Sequence, residues 1–153
     1  MDVIGSCAAV EYANELHATV ERCALRLGWP LVLVDGNVHL ATDRGVVGLL
    51  VGARFGGHLL GELRGRGWEV PVLALPGVAL RWAFLVRTPV GPVPRLPAWA
   101  RVVSGPQLLP LPPSVTGHGP ARWVHAPTGH PACVPPFAAA FEVVLAAAGH
   151  AIG

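Results

Sequence analysis

Arg81-Trp82-Ala83-Phe84-Leu85-Val86 is an apolar run of strand length, and with two later segments it decides the fold. Leu108-Leu109-Pro110-Leu111-Pro112-Pro113-Ser114 reads as a strand closed off by a rigid turn. Arg122-Trp123-Val124 reads as a short strand behind a Gly-rich loop. Before the first of these, Val70 to Leu75 supplies a pairing partner around Pro76-Gly77.

Further upstream, Val10, Ala13, Leu16, Val20, Ala24 and Leu27 recur at three- and four-residue spacing, which predicts an amphipathic helix over about 10–27. Gly28 and Pro30 stop it. Leu31 to Val34 and Val38 to Thr42 flank Asp35-Gly36, a dipeptide suited to a type I′ hairpin. Val46 to Val51 is another strand-length run. Phe55, Leu59, Leu60 and Leu63 share one face of a second helix over 53–67, which four glycines weaken by about 0.8–1 kcal/mol each. Thr88 to Pro97, with four prolines, reads as a surface loop, after which Trp99-Ala100-Arg101-Val102-Val103 resumes an apolar pattern. A closing helix is expected over about 136–149. The whole chain, 1–153, reads as one α+β domain with a mostly antiparallel sheet and helices packed on it.

Composition narrows the function classes. Apolar residues make up 52% and charged residues 13%, the reverse of a disordered chain. The longest apolar stretch, Phe137 to Ala148, is broken by Glu142 and falls short of the roughly 20 residues a bilayer needs. Asp2 stands where a secretory signal would be basic, so a cytoplasmic protein with no membrane partner is expected. All eleven basic residues are Arg, which excludes a catalytic lysine, and the net charge of +2 does not by itself argue for nucleic acid. Cys7, Cys23 and Cys133 form no CxxC and read as buried free thiols.

The order of these segments behind Gly28-Trp29-Pro30 resembles the N-terminal domain of bifunctional DNA primase/polymerase (prim-pol, archaeo-eukaryotic primase-like) proteins. The likeness covers roughly Leu16 to Pro127. It rests on the Gly-Trp-Pro step, the Pro76-Gly77 turn, Leu111-Pro112-Pro113-Ser114 in place of an Ala-Pro-Pro-Ser ending, and Arg122-Trp123. The resemblance implies an Asp-x-Asp pair at positions 50 and 52 and a histidine at 83, but this chain carries Leu50, Gly52 and Ala83. No acid occurs between Glu69 and Glu142. Divalent cations in such enzymes need hard oxygen donors, which these residues do not have. The resemblance therefore implies a pseudoenzyme with no metal and no cofactor. Asp35 and Asp43 are read as turn residues.

Other patterns are weaker. His125, His130 and Cys133, with His118 as a distant fourth, have zinc-compatible residue types, but an incidental Pro-rich surface loop accounts for them better. Cys133 with His130 lacks an orienting acid, Gly56-Gly57-His58 lacks a phosphate-loop pattern, and no serine, including Ser6, Ser104 and Ser114, sits in a nucleophile elbow. Arg54, Arg64 and Arg66 on the second helix, with Arg81 and Arg101 beyond it, are the candidate ligand-binding residues, and Arg87 and Arg95 follow on the strands and loops between. With Trp82 or Trp99 exposed nearby they would hold a phosphate backbone and stack a base. Two functions are thus expected: binding of nucleotide or single-stranded nucleic acid without catalysis, or a protein-interaction module, self-association included.

Overall fold

The computed structural model describes residues 3–42 and 45–152. Helix α1 (Val3–Thr19) continues as a π-helical segment, Val20–Arg26. Ten strands follow: β1 (Leu31–Val34), β2 (Asn37–Ala41), β3 (Val46–Gly52), β4 (Val72–Leu75), β5 (Arg81–Arg87), β6 (Ala100–Val103), β7 (Leu108–Pro110), β8 (Val115–Thr116), β9 (Gly119–Pro120) and β10 (Arg122–His125). Helix α2 (Ala53–Gly65) joins β3 to β4, and α3 (Phe137–Ile152) closes the chain. The fold is α+β, and every pairing between these strands is antiparallel.

The strands divide between two main sheets, where the sequence suggested one. A five-stranded sheet runs β10-β4-β5-β3-β6, and a three-stranded sheet runs β1-β2-β7. Inward residues of β3 and β5 alternate between the two sides, as a pleated backbone requires. Leu49, Val51, Phe84 and Val86 meet Leu59 and Leu63 of α2 and Phe137, Ala140 and Val144 of α3. Val46, Leu50, Ala83 and Leu85 meet Val38, Leu40, Leu109 and Leu111 under the smaller sheet. With apolar layers on both sides, β3 is buried from Val46 to Val51, which accounts for its unbroken hydrophobic run. The sheets are in close contact at Gly48, where a Cβ would lie 2.7 Å from Leu109 Cδ1.

Within the larger sheet, β3-α2-β4 is a split β-α-β unit with β5 inserted between its strands. No second helix intervenes between β5 and β6, where the Pro-rich segment 88–97 runs without regular structure. Instead α3, arriving from the far end of the chain, packs beside α2 on the same layer.

Local readings held where short-range chemistry governs. Asp35 and Gly36 both have positive φ (51° and 80°), as a type I′ turn requires. Gly28, at φ 73°, ends the first helix in the left-handed region that favours glycine. The helix start does not match: α1 begins at Val3 rather than near Val10. Val10 is 58% exposed, and the core takes Thr19 and Cys23 from this element instead. The wider π-helical turn alters the facing of the last residues, which a 3.6-residue period does not anticipate. The hairpin β8–β9 was not foreseen. The Asp43-Arg44 turn and the side chains of Ser6, Cys7 and Cys133 lie outside the described residues. No helix among the described residues is long and apolar enough to cross a membrane.

Candidate nucleic-acid interface

Strand register fixes where the singled-out positions fall. Leu50 pairs with Ala83 on one side and with Arg101 on the other, while Gly52 pairs with Arg81. Cross-strand partners point to the same face. Leu50, Gly52, Ala83, Arg81 and Arg101 therefore share the face that looks toward the smaller sheet. Leu50 is 6% exposed and Ala83 fully buried, both inside the apolar layer, whereas Gly52, Arg81 and Arg101 stand at the open end. Ladder spacing sets the Arg81 and Arg101 Cα atoms about 12 Å apart.

Helix α2 springs from the same end of the sheet. Its first turn carries Arg54 and Phe55, and Gly52 precedes it in extended conformation without a side-chain cap. Phe55 meets Trp99 edge-on, with ring centroids 4.5 Å apart, and His58 lies 5.7 Å from Phe55. These residues, with Gly52, Arg54 and Ala147, border an open hollow of about 550 Å³. Trp99 is 38% exposed beside it. Among the described residues, Arg54, Arg81 and Arg101 make no ion pair; the two that form are Arg26–Glu21 and Arg66–Glu142.

The arginine cluster expected on α2 separates. Arg54 stands at its start, and Arg64 lies ten residues on, about 15 Å along the axis. Arg66, just past the helix, is held 3.0 Å from Glu142 of α3. Arg87 is also committed, its Nε donating to the Val134 carbonyl at 3.1 Å and its guanidinium 6.0 Å from the Trp68 ring. Arg95 is exposed on the Pro-rich segment. Trp82 is unavailable for stacking because its ring lies under α2, where a Cβ on Gly56 would come within 2.6 Å of it. Its Nε1 is buried without a hydrogen-bond partner among the described residues.

The other constellations acquire local roles. His125 Nδ1 is 2.9 Å from the Val70 carbonyl, at the sheet edge, and His130 is exposed. Among the described residues, no three His, Cys, Asp or Glu side chains come close enough to hold a metal ion. The glycines of Gly56-Gly57-His58 lie inside α2 and cradle nothing. Burial pushes the Cys23 thiol up to about 12, against a smaller opposite pull from Arg22, so it is a packed apolar group and not a nucleophile. Ser114, read from sequence as a turn residue, also docks that turn. Its Oγ donates to the Val38 carbonyl at 2.7 Å and accepts from the Val38 N–H at 2.9 Å.

No family model, curated protein or solved structure matches this chain.

Proposed function

We propose that this chain is a degenerate prim-pol-like domain that binds nucleotide or single-stranded nucleic acid without turning it over. One observation carries the reading. At the Gly52 end of the central strand stand three arginines that make no ion pair among the described residues. Arg54 borders the hollow with the exposed Trp99 and Phe55, and Arg81 and Arg101 lie at the same end on the face toward the smaller sheet. Guanidiniums engage phosphates, and an exposed indole offers a stacking surface that accepts any base. The split β-α-β unit and the Pro-Pro-Ser turn lend support to the family resemblance.

The divalent ions implied by that resemblance do not fit the residues present. Leu50 and Ala83 are hydrocarbon within an apolar layer, Gly52 has no side chain, and none of them offers a carboxylate or other side-chain oxygen. Binding here would therefore need no metal and no cofactor, in a protein working in the cytoplasm. Primer extension with Mg²⁺ or Mn²⁺ is expected to be undetectable.

An interaction module is the second reading. It is favoured by the exposed Val32, Leu33 and Val34 and by an apolar groove of about 370 Å³ between Pro89, Pro92, Pro94 and Phe141. Fluorescence anisotropy of a labelled single-stranded oligonucleotide across a salt series separates the two. Affinity that falls as salt rises supports phosphate engagement, and no binding at low salt removes the first reading.

A further inference from the structure

The two main sheets expose four edge strands, and three carry a device that discourages further pairing. Strand β7 contains Pro110, β6 carries the exposed Arg101, and β10 is bulged between Trp123 and His125. Strand β1, Leu31-Val32-Leu33-Val34, has no proline, charge or bulge. It is also unusually apolar for an uncovered surface. Leu33 is 66% exposed, Val34 41% and Val32 39%, and the adjoining π-helical segment adds Leu25 at 76%.

Hairpin geometry fixes which backbone groups are free. In a two-residue turn the flanking pair, Val34 and Asn37, is hydrogen-bonded, and bonded pairs alternate from there. The Ala41 N–H to Pro30 carbonyl bond, at 3.0 Å, continues the same alternation. Val32 and Val34 thus turn their backbone groups toward β2. Leu31 and Leu33 turn theirs outward, two donors and two acceptors in all.

We infer that β1 is a pairing edge for a second copy of this chain, joined antiparallel about a two-fold axis at Val32. In that register Leu31 faces Leu33 of the other copy and each pair exchanges both bonds, so all outward groups of both strands are used. Val32 meets its own counterpart and Val34 meets Pro30, so every facing residue is apolar and no like charges oppose. A partner of different charge character would find nothing on this strand to recognise. The contact spans four residues per copy, below a standard interface, so weak, concentration-dependent association is expected. This edge shares no residue with the arginine site, and its failure leaves the ligand-binding reading untouched.

Sedimentation equilibrium of the full chain and of Val32→Glu and Val32→Arg tests the inference. Each charged variant alone should associate at least about ten-fold more weakly than the wild type, because like charges meet on the axis. An equimolar mixture of the two should recover most of the loss through a Glu–Arg pair. Leu33→Lys, at the most exposed position of the strand, should also weaken association and guards against misfolding at position 32. A wild-type chain that stays monomeric at about 1 mM overturns the inference. Association unaffected by these changes, or a mixture no stronger than either charged variant alone, overturns it equally.

Discussion

Two side chains in the smaller core layer carry unequal burdens. Ser114 is 1% exposed and satisfies both backbone groups of Val38 across a sequence gap of 76 residues. Ser114→Ala leaves the buried Val38 N–H without a partner, while the Val38 carbonyl keeps the Leu111 N–H at 2.9 Å, and about 1–3 kcal/mol of stability should be lost in urea denaturation. Leu50 sits opposite Ala83 with apolar atoms around it. Leu50→Asp removes a packed leucine and buries a carboxylate there, and the cross-strand Arg101 offsets only part of that cost because its own side chain is exposed. A loss of at least about 3 kcal/mol in the same measurement is expected, rather than any gain in nucleotide chemistry. Restoring acids at 50 and 52 with histidine at 83 therefore meets a packing barrier before the missing third acid matters. Ser114 was legible as a turn residue because Pro-Pro-Ser is a local signal. Its grip on β2 was not, because the partner is a backbone group far away in sequence.

The four glycines of α2 look equivalent in the sequence and separate in the fold. Gly56 admits the Trp82 ring, and a Cβ there would come within 2.6 Å of Cε3 and 2.9 Å of Cδ2. Gly57 and Gly61 have nothing within 4 Å of such an atom. Gly57→Ala and Gly61→Ala should each stabilise by about 0.5–1 kcal/mol through helix propensity. Gly56→Ala should destabilise by about 1–3 kcal/mol, since a rigid core ring has to move. Thermal melts of the three variants check the contrast, and equal shifts would contradict the packing described. Strands and hairpins were legible wherever a short motif forces them, as Asp35-Gly36 does. The start of α1 was not, because Ala9, Val10 and Glu11 are exposed and leave a weak apolar pattern there.

At the scale of the whole molecule, the alternating residues of β1, β2 and β7 do not reveal that these strands leave the main sheet. One period of two serves either sheet. The same blindness affected the site: sequence proximity grouped Arg54 with Arg64 and Arg66, while strand register joins it at the Gly52 end with Arg81 and Arg101. The most direct measurement is anisotropy of a labelled single-stranded oligonucleotide with the wild type, Arg81→Ala/Arg101→Ala and Arg64→Ala. The double variant should bind at least about ten-fold more weakly, and its slope of log affinity against log salt should flatten by about 1.4, while Arg64→Ala matches the wild type. Binding that is indifferent to Arg81 and Arg101, or absent at low salt, contradicts the account.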